Sequence, residues 1–289
     1  MVRGRILVSV VVSSLLSVSV LSGCGGASAA KEENSDAVMM IGMVLLDGSA
    51  IVNETVLQEA MAAYAAGNGP GLEPLVSGAE TGEMIMQLGN ERAYFVPMPA
   101  PVPDGEADAY ARNSLAYLLY EWELPAHTEH IIVAVSSSAD TPRMQAVSEF
   151  ADVLAAVVAT TPAVGVYIPD MSVTHDPSLV MELAADPQPA AAMPMLSGVS
   201  VAQPTPETIS FLSLGMPLLG YPDLMLDSPA DVAGESLVFF TDLLVYVSLL
   251  GAPIPEGETV GRGEVERLPV RYQPSPLDPG VMVWTVVVP

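Results

Sequence analysis

His127 and His130, with Glu129 between them, are the side chains whose types and spacing come nearest to a metal site or an acid/base pair. A metal-assisted hydrolase built on them needs a third ligand and a base. Two histidines three apart share a face only on a helix, and His130 opens an apolar run that predicts a strand. No His-Glu-x-x-His pattern supplies the base. The pattern favours a strand-edge role for His130 and a solvated His127.

The acidic residues are similarly incomplete. Asp104, Glu106 and Asp108 alternate like calcium ligands, but the terminal bidentate glutamate of a calcium loop is missing. In the first turn of a helix these acids offset the positive end of its dipole instead. Asp223 with Asp227, and Glu256 with Glu258, are of the right type for general acid/base pairs, yet nothing in their spacing sets either pair in one cleft. Ser136-Ser137-Ser138 lies between a strand and a helix, where backbone N–H groups bind anions, and capping accounts for the serines. Gly67-Asn68-Gly69-Pro70-Gly71 has no lysine to complete a phosphate loop, and no Gly-x-Ser-x-Gly elbow is present. Met39, Met40, Met43, Met84 and Met86 sit near expected strands, as core filling requires. No catalytic, cofactor-binding or metal residue is assigned.

Cys24 is the one cysteine, and it follows a segment built for export. Arg3 and Arg5 supply a positive start, Ile6 to Val20 is apolar apart from serines, and small residues surround the cysteine, as in a cleavable signal peptide. The run falls short of the ~20 apolar residues of a membrane-spanning helix. Leu21-Ser22-Gly23-Cys24 resembles a bacterial lipobox. That resemblance implies cleavage before Cys24 and covalent lipid on its thiol and amino group. Several acyl chains, at ~0.8 kcal/mol per buried CH₂, hold far better than the marginal anchor of one. The expected division is a signal peptide over 1–23, a lipidated N-terminus and flexible tether over 24–36, and a folded region over 37–289. Gly25 rather than Asp follows the cysteine, so in a cell with two membranes the outer one is the expected destination. Acylation leaves no thiol for disulfides or cysteine catalysis.

The whole chain carries 34 acidic against 9 basic residues, a net charge of −25, and signal cleavage removes only Arg3 and Arg5. Nucleic acid is excluded as a partner, because its binding rests on neutralising phosphates with clustered Lys and Arg. The same field repels anionic lipid headgroups, leaving the acyl anchor as the membrane attachment. Partners of matching chemistry are cations, basic proteins or neutral surfaces. With 51% hydrophobic residues there is ample material for a core, which at 6% aromatics must rest on Ala, Val, Leu and the 16 Met.

Periodicity then places the elements. Val38 to Leu46 is a strand; Val56, Leu57, Ala60, Met61 and Tyr64 form a helix face after an Asn53 N-cap, stopped at Gly67. Glu83 to Leu88 and Arg92 to Met98 form a hairpin about Gly89-Asn90. Pro97, Pro99, Pro101 and Pro103 break the strand, a helix runs from Glu106 to Trp122, and Ile131 to Val135 is a strand. This order is that of a ferredoxin-like βαββαβ unit. Thr141-Pro142 starts a helix faced by Met144, Val147, Ala151, Leu154 and Val158. Val164 to Ile168 is a strand, Asp176-Pro177 starts a short helix, and apolar runs follow at Met195 to Val201 and Ile209 to Leu214. A helix from Ser228-Pro229 ends at Gly251, before strands near Val270 and over Val281 to Val288. The expectation is an α+β tandem of two ferredoxin-like units, halves 37–140 and 141–289, with the Thr141 helix between them. The alternative is a single α+β domain with a mixed sheet.

Five segments resemble the bacterial domain-of-unknown-function family 4261: Met98-Pro99-Ala100-Pro101-Val102-Pro103, His130-Ile131-Ile132-Val133-Ala134-Val135, Gly165-Val166-Tyr167, Tyr221 to Ser228 and Ile254 to Gly261. Their order also matches. The resemblance implies a whole-domain fold and carries no catalytic residues. The function expected from all this is a membrane-tethered lipoprotein of the cell envelope, a noncatalytic binding or protein-interaction module. The alternatives are a metal-assisted hydrolase using His127 and His130, and an immunity-type inhibitor whose acidic face covers a basic partner.

Overall fold

The structure, a computed structural model, describes residues 39–49, 51–64, 70–77 and 82–289. The signal segment, Cys24, the tether and the Gly67 helix stop lie outside these residues. The described chain forms two compact units, one ending at Val199 and the other running Ser200–Pro289.

The first unit contains, in order, β1 (Met39–Leu46), α1 (Glu54–Tyr64), β2 (Leu72–Ser77), β3 (Met84–Leu88), β4 (Glu91–Met98), α2 (Glu106–Tyr110), α3 (Leu115–Tyr120), β5 (Glu129–Ser136), α4 (Arg143–Thr160), β6 (Ala163–Ile168), β7 (Val173–His175) and α5 (Pro177–Ala184). Its seven strands lie in the order β2-β3-β4-β5-β1-β6-β7, each antiparallel to its neighbours. Alternation along the strands sorts two faces. Met40, Val44, Met84, Met86, Ala93, Phe95, Val133 and Val135 are buried, on the face that α4 covers. Gly42 lets α4 approach: a Cβ there would meet Leu154 Cδ2 at 3.0 Å and Phe150 Cζ at 3.3 Å. On the other face Val102 and Ala107 close over Leu45 and Tyr167, while Ile41, Tyr94, Val96, Ile132 and Ala134 stay half-buried. Met39, expected in the core, is 55% exposed.

β5 and β6 flank β1 and are joined by α4, which makes the split βαβ arrangement. The Thr141 helix is therefore no joint between halves but the packed helix of the first unit. Its start is also shifted from expectation. Pro142 precedes the first turn, and the Thr141 hydroxyl donates to Glu91 instead of capping. The expected helix over Glu106 to Trp122 is broken. Ser114 turns extended (φ −79°, ψ 142°) and its oxygen accepts from Ala116 N, starting α3 afresh, while Glu121 (φ 55°) ends it. A serine competes well as an N-cap and poorly as a helix interior residue, which explains the break. Asn53 and Asp176 cap α1 and α5 as expected, through Val56 N and Ser178 N.

The strand β8 (Gly198–Thr205) leads into the second unit, which holds β9 (Thr208–Leu214), β10 (Leu224–Pro229), α6 (Ala233–Leu250), β11 (Thr259–Val260), β12 (Leu268–Pro269), β13 (Arg271–Pro274) and β14 (Met282–Val287). The five-stranded sheet runs β13-β14-β10-β9-β8, with β10 and β14 adjacent and parallel. Parallel neighbours require a crossover, and α6 lies within it. This is a mixed sheet, not a second split βαβ unit. The protein is α+β, and the mixed sheet of the alternative expectation fits it; a tandem of ferredoxin-like units is not confirmed.

Ser228 and Pro229 close β10 rather than starting the helix, and Ser228 Oγ meets Ser236 Oγ at 2.6 Å. The segment Ala230–Leu250 is long and apolar enough for a membrane span by composition, but most of it is buried inside the fold. It is the core helix of the second unit, packed on β9 and β10 with Phe240 against Phe211 at 5.9 Å.

Candidate functional site

Three groups of polar side chains in the described structure have the chemistry of a site. The first surrounds the proline-rich segment after β4. His127 Nε2 accepts from Val102 N at 3.2 Å, and His130 Nδ1 lies 2.7 Å from the Ala100 carbonyl, to which it donates. The two histidines thus fasten the loop Pro99–Pro103 beside the end of β5. Prolines offer no N–H of their own, so this stretch cannot pair as a strand and is held by side chains instead. Burial lowers the His127 pKa, with Asp108 opposing and His130 adding to the fall. His130 is buried at the start of β5, and His127, expected to be solvated, is half-buried.

α2 brings acids to the same end of the sheet. The Tyr167 ring, fully buried, stacks on Tyr110 with centroids 6.1 Å apart and planes 15° apart. Its Oη makes no hydrogen bond of normal geometry. Burial raises its pKa first, and the nearby Glu106 carboxylate second. Asp104 has φ 59° and leads into Gly105. Among the described residues, no three His, Cys, Asp or Glu side chains are grouped so as to hold a metal ion.

The second group was not visible in the sequence. Ser114, the N-cap of α3, meets His175 of β7 across 61 residues, and His175 Nε2 lies 2.9 Å from the Met195 carbonyl. Beside them Asn113 Nδ2 donates to the Ser172 carbonyl at 2.8 Å and Thr174 Oγ1 to the Ala107 carbonyl at 2.7 Å. A serine before an apolar helix was the one available signal, and it announces a cap rather than a partner.

The third group separates the paired acids. Asp223 Oδ1 accepts from Ser213 Oγ at 2.9 Å and Met216 N at 3.1 Å, holding the turn between β9 and β10. Burial pushes its pKa up to about 6, against those two hydrogen bonds. Asp227 accepts from Ser210 Oγ at 2.5 Å, farther along the same strand pair. Each acid is spent on its own neighbour in β9. Glu256 is exposed beside the Gly257 turn (φ 87°), and Glu258 is half-buried. At Ser136-Ser137-Ser138 the anion is the protein's own, since Ser138 N donates to Glu91 Oε2 at 2.7 Å.

These groups hold loops and helix ends in place. His127, His130, Ser114, His175 and Asp223 each direct their polar atoms at backbone or at one another. Comparison of the chain with family models, with curated proteins and with solved structures finds no match.

Proposed function

We propose that the protein is a lipid-anchored module of the bacterial cell envelope that binds another protein rather than turning over a substrate. The observation that carries this reading is Leu21-Ser22-Gly23-Cys24 at the end of an arginine-led apolar segment, with no other cysteine in the chain. Anchoring by acyl chains on Cys24 leaves residues 24–36 as tether, and Gly25 directs the protein to the outer membrane where there are two. Membership of family 4261 is part of the same proposal and rests on the five segments quoted above. The net charge of −25 favours a basic partner through electrostatic complementarity. Binding is favoured over hydrolysis because His127 and His130 use ring nitrogens to hold backbone.

Metabolic labelling of producing cells with a clickable fatty acid tests the anchor. The wild-type protein takes the label and Cys24→Ser does not; a labelled Cys24→Ser variant excludes that thiol. For binding, in-cell crosslinking followed by detergent extraction recovers a basic or neutral protein with the wild type. Recovery of the chain alone, or association unaffected by salt, counts against the module.

A further inference from the structure

Two buried carboxyl groups, Glu91 at the start of β4 and Glu149 on α4, differ in how their oxygens are held. Glu91 and Glu149 are each 4% exposed. Glu91 is engaged on both oxygens, by Ser138 N at 2.7 Å and by the Thr141 hydroxyl. Neither oxygen of Glu91 is left bare. Glu149 receives one donor, Gln145 Nε2 on Oε1 at 2.8 Å, and its Oε2 is buried without a partner. The β4–β5 register sets Arg92 against Ser136 and Ala93 against Val135. One step further places Ser137 beside Glu91, on the face that Ala93 and Val135 share. Ser137 Oγ is buried without a partner too. A bare carboxylate oxygen beside a second carboxylate is costly, whereas a carboxylic acid O–H is a donor that resolves it.

We propose that Glu149 is held as the neutral acid next to an ionised Glu91, making the junction of α4 with β4 and β5 a proton-dependent latch. Loss of the Glu149 proton sets two like charges against each other and releases the first turns of α4. Burial raises the Glu149 pKa, Gln145 opposes, and Glu91 adds to the rise. Among the described residues the other ionisable groups on elements packed against α4 are removed from this corner by exposure or position. Glu59 of α1 and Glu182 of α5 are exposed, Glu54 of α1 accepts from Ser77 Oγ at 2.6 Å, and Tyr64 ends α1. Glu129 and His130 are at the opposite end of β5, and Tyr167 of β6 is on the other sheet face. β1 and Pro189–Leu196 carry none. On α4 itself Asp152 lies one turn beyond Glu149, and burial first, with the Glu149 carboxyl second, pushes its pKa up to about 7.

The test is a carbon-detected NMR titration of the Glu149 carboxyl in the mature chain, with amide exchange of residues 144–150 followed from acid to alkaline pH. Glu149 titrates above the ordinary glutamate range, and exchange accelerates beyond its intrinsic pH dependence as the proton leaves. Glu149→Gln loses that step, Glu91→Gln moves the Glu149 midpoint down, and Asp152→Asn keeps the step. A Glu149 midpoint in or below the ordinary range overturns the latch, as does a Glu149→Gln protein that retains the step. If Glu149→Gln does not fold, the wild-type and Glu91→Gln titrations decide it.

Discussion

Ser114 Oγ lies 2.9 Å from His175 Nδ1, with both side chains fully buried, and the far ring nitrogen lies 2.9 Å from the Met195 carbonyl. A carbonyl only accepts, so Nε2 carries the hydrogen and Nδ1 accepts from the serine hydroxyl. The pair has the composition of a nucleophile and its base, in a position closed to solvent. Its effect is to tie α3 to β7 and β7 to the segment Pro189–Leu196.

Ser114→Ala removes both the bond to His175 and the cap on Ala116 N. An orphaned buried ring nitrogen and a lost cap together cost about 2–4 kcal/mol, read by urea denaturation at neutral pH. A fluorophosphonate probe leaves Ser114 unlabelled in the native protein. Labelling there would make the pair a working dyad.

Burial pushes the His175 pKa down to about 4, against the Met195 and Asp176 contributions. The folded value is depressed below the unfolded ~6.5, so the unfolded chain binds the proton first. Stability from this group is complete above that pH and is lost as pH falls through about 4. Two-dimensional NMR of the imidazole in the folded protein should show it neutral at pH 5, and a charged ring there contradicts the assignment.

Asp242 of α6 has the opposite sign. Its Oδ1 is buried without a partner, and burial raises its pKa to about 6. The folded value exceeds the unfolded ~3.9, so this contribution is present below the unfolded value and declines as pH rises through the folded one. Asp242→Asn therefore stabilises at pH 7.5 and not at pH 3.5. Because the carboxyl is partly solvated, the gain is about 1 kcal/mol. Equal effects at both pH values would place the cause elsewhere.

Gly42 tests the contact between β1 and α4. Alanine puts a Cβ 3.0 Å from the Leu154 side chain, which gives way by a small shift. The strand preference of alanine over glycine offsets that strain, and Gly42→Ala should be near neutral. Gly42→Val forces further displacement and costs about 1–3 kcal/mol by thermal or urea unfolding. A neutral valine would mean that α4 packs less closely than the structure shows.

For the histidines at the proline-rich loop, the expected outcome is loss of order rather than loss of metal. His127→Ala and His130→Ala each free a backbone group of Val102 or Ala100, at about 1 kcal/mol apiece. Zinc titration by calorimetry should give the same weak response for the wild type and the double variant. Stoichiometric zinc binding that vanishes in the double variant would restore the hydrolase reading.

Most helices and strands were legible because their signals are local. The β1, β3–β4, β5, α4, β6 and α6 segments carry apolar runs long enough to survive their context, and Asn53 and Asp176 name their own helix starts. Short elements were not legible. β7 is three residues long, and β10 hides its strand in the sequence Leu224-Met225-Leu226 between prolines. The helix over Glu106 to Trp122 was overextended because apolar spacing continues through Ser114, whose side chain decided the break.

By itself the sequence determined the α+β class, the strong net acidity and the position of its single cysteine. These follow from composition and from neighbours along the chain. Tertiary structure alone decided that α4 crosses β1 within the first sheet and that β10 lies parallel to β14. It also decided that His175 meets Ser114 and that Ser138 and Thr141 meet Glu91. Such pairings join residues far apart in the chain, where the free energy of contact depends on burial and register that no local pattern encodes.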